Sequence, residues 1–236
     1  MSEGHVSMQM YDLAGADPAV RFSPYCWRIR MALAHKGLEV ETIPWRFSDK
    51  SAISFSGQGA VPVIRDGDAV LHDSWAIAEY LDAQYPDRPL LMDGPQGRAL
   101  ANFARHFSQV VFAPIAFKAV ILDIYNVIDE GDRAYFRQSR EARVGKTLEA
   151  FAIDEDEARA QMRPALAPLR ALLQDQPFVN GAAPAFADYC LFGGFMWVRG
   201  VSPKKILAEA DPVHAWRERM LDLFDGLARK APCVGA

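Results

Sequence analysis

Ser23-Pro24-Tyr25-Cys26-Trp27-Arg28-Ile29-Arg30-Met31-Ala32-Leu33-Ala34-His35-Lys36-Gly37 predicts a helix with both ends marked. Ser23 suits the N-cap, where its hydroxyl accepts a bond from an otherwise orphan backbone N–H. Pro24 suits the first helical position, where its fixed φ helps and its missing N–H costs nothing. Gly37 suits the left-handed position past the end, with His35 and Lys36 favourably placed in the last turn. Cys26, Ile29 and Leu33 form an apolar stripe at helical spacing. Upstream, Met8 to Leu13 alternates enough to be a strand. A strand feeding a helix N-terminus that carries a serine and a cysteine predicts a thiol-handling site, because the positive helix end favours a nearby thiolate.

The segments that follow extend this start into a small mixed sheet. Leu38 to Pro44 alternates apolar and polar residues and reads as a strand; Ser48 to Gly59 reads as a loop, with room for one short helical turn. Val61–Arg65 and Ala69–His72 are two short β-type runs joined by Asp66-Gly67-Asp68, a strong hairpin signal. Asp73 or Ser74 caps a helix running to about Gln84, and Tyr85-Pro86-Asp87-Arg88-Pro89 stops it. This order predicts an α/β, thioredoxin-like N-terminal domain over residues 6–86. Leu90 to Pro95 reads as a linker by its Pro and Gly content. Beyond it, residues 95–236 read as an all-α domain. Its helices are expected over Gln96–Ile128 with Pro114 as a kink or break, Asp132–Phe151, Glu155–Leu173, Phe186–Gly200 and Asp211–Lys230.

Composition limits the function classes. The chain has 236 residues, a net charge of −4 and 50% hydrophobic residues, an ordinary globular balance. Its acidity argues against a nucleic-acid partner, which needs a basic face. Met1 to His5 lacks the basic-then-apolar pattern of a signal peptide. The most apolar run, Val110 to Leu122, is interrupted by Pro114 and Lys118 and falls short of the ~20 residues a membrane crossing needs. A cytoplasmic protein with no membrane partner is expected. Cys26, Cys190 and Cys233 are odd in number and far apart, which is no disulfide framework; the five histidines are scattered, so no metal is expected.

Three motifs then meet in order: Ser23 to Leu33, Ala60-Val61-Pro62-Val63-Ile64, and Asp73-Ser74-Trp75-Ala76-Ile77-Ala78-Glu79-Tyr80-Leu81. Together they resemble the glutathione S-transferase superfamily nearly end to end. Ala34 to Gly37, Tyr85 to Pro89, Ile121 to Asp123 and Phe186 to Tyr189 make the chain most like the bacterial β-etherase type, which cleaves lignin-derived aryl ethers. The resemblance implies glutathione as co-substrate, a hydrophobic aromatic electrophile as second substrate, and a homodimer.

It also implies roles. Ser23 donates a hydrogen bond to the glutathione sulfur; a charge-assisted bond of roughly 1.5–3 kcal/mol, made only to the thiolate, lowers the thiol pKa by about one to two units. Pro62 is cis in the family, and the Val61 backbone pairs with the cysteinyl part of glutathione. Asp73 suits the γ-glutamyl ammonium and Ser74 its carboxylate, at a helix N-terminus. Gln58 is a candidate for the glycyl end. Phe22 and Tyr25 face the electrophile from the first domain, and Phe103, Phe107, Phe112 and Phe117 are candidates from the second. Each position also has a plainer reading: caps for Ser23, Asp73 and Ser74, core for the aromatics. Family members usually carry Ser or Thr three residues before Asp188; Ala185 stands there, leaving local helix stability in question.

Three other readings compete. Ser23-Pro24-Tyr25-Cys26 has the spacing of a glutaredoxin motif with its attacking cysteine replaced by serine. The remaining Cys26 falls on the apolar stripe, which disfavours disulfide chemistry. A general glutathione transferase or isomerase for another small electrophile, or a binding protein without turnover, are the alternatives.

Overall fold

The computed structural model describes residues 8–234, so the reading of Met1 to His5 falls outside it. Strand β1 (Met8–Leu13) is central, parallel to β2 (Val40–Trp45) and antiparallel to β3 (Val63–Asp66). Strand β4 (Ala69–His72) pairs antiparallel with β3 across a Gly67-Asp68 turn, and the order is β2-β1-β3-β4. In the register, Met10 lies opposite Thr42 on one side and Ile64 on the other. A 3-10 turn over Lys50–Ser56 fills the loop after β2.

Helix α1 (Pro24–His35) is capped as its residues predict, with Ser23 at the N-cap and Gly37 at φ 63°. Helix α2 (Ser74–Gln84) packs beside it and is capped by Asp73. The buried face of α1 is broader than the apolar stripe the sequence predicts. Trp27, Arg28, Met31 and Ala32 are buried along with Cys26, Ile29 and Leu33. The reason is tertiary: α1 is covered a second time, by a helix of the second domain.

That domain contains α3 (Gly94–Phe107), α4 (Ala113–Val127), α5 (Glu130–Val144), α6 (Leu148–Phe151), α7 (Glu155–Ala165), α8 (Ala167–Asp175), α9 (Phe186–Val201) and α10 (Pro212–Gly226). Helix α9 is buried almost all round and lies against α1, α3 and α4. Gly193 permits the closest approach: a Cβ there would collide with the Pro24 carbonyl oxygen and stand 3.2 Å from Arg28 Cγ.

Several helix expectations need correction. Pro114 breaks nothing. Its ring would strike the carbonyl of Val110 in a regular helix. A π turn over Ser108–Phe112 absorbs the misfit, with the Ala113 N–H bonding Ser108 O. Gly94–Val127 is therefore one 34-residue helix, long and apolar enough by length and composition to cross a membrane; 33% of its most apolar stretch is buried. The expected Asp132–Phe151 helix is two, because Gly145 (φ 70°) ends α5 and Thr147 caps α6. Glu155–Leu173 also divides, at Leu166, with Pro168 in the first turn of α8. The last helix loses its geometry at Leu223, Phe224 and Asp225. Ala185 gives α9 no side-chain cap; the Asp188 carboxylate instead accepts the N–H groups of Val179, Asn180 and Ala185 and Nε1–H of Trp216 at 2.7–3.2 Å.

Candidate functional site

The site begins where β1 hands the chain to α1. Ser23 is 3% exposed. Its Oγ accepts the Cys26 backbone N–H at 3.2 Å, which leaves its own proton for another acceptor. The approach to it is fixed on both sides. The Phe22 N–H bonds Leu13 O at 3.3 Å, and Trp27 Nε1–H donates to Arg21 O at 2.8 Å. Nearby, Asp12 is fully buried with Arg21 and Arg30 at 3.8 and 3.7 Å. Burial pushes its carboxyl up against the pull of those two cations.

Cys26 is fully buried one turn into α1. Burial, and then the charge of Asp12, push its thiol well above the ordinary range. A thiol held protonated and out of reach is no nucleophile, so the glutaredoxin-like spacing carries no disulfide chemistry here.

Ser23 opens onto a cavity of about 630 Å³ between the two domains. Phe22, Pro24, Tyr25 and Val61 line it from the first domain. The Val61–Pro62 bond is cis. Neither the N–H nor the C=O of Val61 has a hydrogen-bond partner among the described residues. A peptide-like ligand could pair with both, as an added strand pairs with a sheet edge.

Pro62, Asp73, Ser74 and Gln58 are not in the walls of this cavity. Asp73 sits at φ 69°, where a side chain is rarely found, and its Oδ1 accepts the N–H groups of Trp75 and Ala76 at 2.9 and 3.1 Å. Its second oxygen takes no hydrogen bond among the described residues. Ser74 is buried beside it, and Gln58 is exposed.

The aromatic expectations divide. Phe117 lines the cavity with Phe22 and Tyr25. Phe112 does not: it is 1% exposed, sits against Gly194, and its ring centroid is 4.6 Å from that of Phe195. Phe107 is half-buried outside the cavity against Phe103, which is 65% exposed. Phe112 and Phe117 are five residues apart, about 140° around a regular helix, so the two cannot share a face. Phe112 is drawn into the core by the space that Gly194 leaves on α9.

Residues that periodicity did not mark complete the walls. Phe47, Tyr135 and Phe136 form one aromatic group, with centroids 6.0–6.3 Å apart around Phe47. Phe151 and Trp197 join the already expected Phe117 in another, 5.6 and 5.8 Å from it. Lys118, Arg140 and Arg143 lie among them. No local motif marks these positions, since they come from a loop and four separate helices.

Comparison with known proteins points the same way. A family profile described as "Glutathione S-transferase, N-terminal domain" matches residues 18–89, and one described as "Glutathione S-transferase, C-terminal domain" matches residues 99–224. Glutathione S-transferase Z2 of Arabidopsis thaliana is 42% identical over 78 residues, covering 31% of this chain and 35% of the relative. The chain thus aligns with about a third of that relative's length. Among solved structures, a glutathione S-transferase of Ceriporiopsis subvermispora in complex with glutathione superposes with a TM-score of 0.80 at 26% identity, covering 96% of this chain and 99% of the other. A glutathione transferase of Phanerochaete chrysosporium superposes with a TM-score of 0.75 at 27% identity, covering 93% and 92%.

Proposed function

Because this chain belongs to the glutathione S-transferase family, we propose that it uses the glutathione thiolate as a nucleophile and cleaves β-aryl ethers of lignin-derived aromatics. The observation that carries the reading is Ser23. Its hydroxyl keeps a free proton at a helix N-terminus, on the wall of a cavity that also exposes the unpaired Val61 backbone.

In this reading the Val61 N–H and C=O hold the cysteinyl residue of glutathione, the start of α2 with Asp73 and Ser74 holds its γ-glutamyl end, and Gln58 is a candidate for the glycyl end. The Ser23 hydroxyl donates to the sulfur and favours the thiolate, with the positive end of α1 adding to the effect. The thiol proton leaves to solvent. The sulfur then forms a bond to the carbon that bears the aryloxy group, and the C–O electron pair departs with the phenolate, which takes a proton from water. A carbonyl next to that carbon activates it, so the protein mainly positions the reactants and supplies the thiolate. A cavity of about 630 Å³ with aromatic walls supports a substrate with an aromatic ring at each end.

The test is incubation of the protein with glutathione and a model β-aryl ether ketone, reading products by mass spectrometry. One phenol and one glutathione thioether per ether cleaved is the expected result. Phenol release without glutathione would overturn the mechanism. Conjugation of other electrophiles without ether cleavage would move the function to a general glutathione transferase.

A further inference from the structure

The aromatic cavity carries three cations and no acid. Lys118, Arg140 and Arg143 line it, and no aspartate or glutamate does. This occurs in a chain whose net charge is −4. Among the described residues none of the three has a salt-bridge partner.

The nearby carboxylates are already engaged. On α4, Asp123 binds Lys204 at 2.6 Å; Glu141 on α5 and Glu149 on α6 both bind Arg137, at 2.9 and 2.8 Å. Asp132 accepts the Phe47 N–H through Oδ2 at 3.0 Å; its Oδ1 has no hydrogen-bond partner, but it makes no salt bridge to Lys118, Arg140 or Arg143 among the described residues. Glu130 begins α5 ten residues before Arg140, about 15 Å away along the helix. Arg140 donates from Nη1 to Ser139 Oγ at 2.9 Å and is otherwise held over the rings of Phe47 and Phe136 at 5.0 and 4.7 Å, with Arg143 over Phe117 at 5.7 Å. Burial pulls the Arg140 guanidinium down, with Tyr135 acting against it. Ring faces attract a cation more weakly than a carboxylate does, and a half-buried guanidinium retains donors that the rings cannot satisfy.

We propose that Lys118, Arg140 and Arg143 receive a carboxylate carried by the aromatic co-substrate, so that the acceptor is an aryl ether acid and not a neutral aryl ether. This rests on the reading that the cavity takes the acceptor of the glutathione thiolate. The rings bind the aromatic body, and the guanidinium forks bind the two carboxylate oxygens.

A matched pair of β-aryl ether ketones, one with a free carboxylate and the other with its methyl ester, tests the proposal. The acid should show a kcat/KM ~10- to 100-fold above the ester, the worth of one charge-assisted contact. Arg140→Gln should shrink that ratio toward one, and Arg140→Lys should restore part of it. Should Arg140→Gln fail to fold, Arg143→Gln at the exposed rim and Lys118→Met provide the same reading. A ratio near one in the unaltered protein overturns the proposal. So does equal loss for acid and ester, which would make the cations a phenolate-stabilising group, or a rise in glutathione KM with the ratio held, which would give them the glycyl carboxylate.

If neither compound is conjugated, the transferase reading fails separately. Calorimetric titration with the aryl ether acid and its amide then decides the matter. Tighter binding of the acid, weakened about tenfold or more by Arg140→Gln, supports the cation site; equal binding of acid and amide overturns it.

Discussion

At the scale of single residues, the serine at position 23 does two jobs with one hydroxyl. As acceptor it caps α1 through the Cys26 N–H, and as donor it is free for a sulfur. Ser23→Ala should lower kcat/KM about 10- to 100-fold, no more, since the α1 N-terminus and the Val61 backbone still act on the ligand. The loss should shrink as pH rises toward the free thiol pKa of ~8.5, where deprotonation needs less help. A pH–rate profile of both proteins checks this; a loss independent of pH would assign Ser23 to capping alone. His35 shows how surroundings reverse a local expectation. A histidine in the last turn of a helix is favoured as a cation. Here its Nδ1 lies 2.7 Å from the Tyr189 hydroxyl on α9, and burial pulls its pKa down, with the Leu90 carbonyl acting against it. The unfolded chain therefore takes up the proton first as pH falls. The stability that depends on neutral His35 is complete above about pH 6.5 and is lost as pH drops through the depressed folded value. Urea midpoints at about pH 7.5 and about pH 5.5 should fall further for the unaltered protein than for His35→Gln; equal falls would place the acid sensitivity elsewhere.

At the scale of elements, the contact of α1 with α9 joins the two domains and places Ser23. It depends on Gly193, where any side chain would meet the Pro24 carbonyl. Gly193→Ala should cost about 1–3 kcal/mol by overpacking, or roughly 2–12 °C in Tm for a chain of this size. Because the strained atom belongs to the first turn of α1, kcat should drop as well. Scanning calorimetry beside steady-state rates checks both; an unchanged Tm would mean that α1 and α9 are less closely fitted. The π turn at Ser108–Phe112 acts in the opposite way, as an accommodation: it keeps α3 and α4 continuous past Pro114.

At the scale of the whole molecule, the long helix Gly94–Val127 leaves apolar side chains uncovered. Phe103 is 65% and Val110 70% exposed. We propose that a second copy of the chain covers this face, as the family resemblance implies. Light scattering should give a mass near twice the 26.2 kDa of the chain, and Phe103→Glu with Val110→Glu should shift it toward the single-chain value. A single-chain mass in the unaltered protein at micromolar concentration would overturn the pairing.

The elements whose residues signal locally were legible in the sequence. The Ser23-Pro24 start and Gly37 end of α1, the turn at Gly67, and the Asp73 and Asp211 caps all act through backbone groups within a few residues, so their chemistry is written beside them. The pairing of Ser23 with Val61 was legible only through family resemblance. The rest belongs to the tertiary structure. Whether Pro114 kinks a helix or sits behind a π turn depends on what packs around it. Whether Phe112 faces core or cavity depends on the space that Gly194 of α9 leaves for its ring. The cavity walls of Phe47, Tyr135, Arg140 and Trp197 meet from a loop and two helices remote in the chain. Periodicity can tell which side of a helix is buried, but a cation without an acid beside it becomes visible only when the neighbours that could have neutralised it are placed.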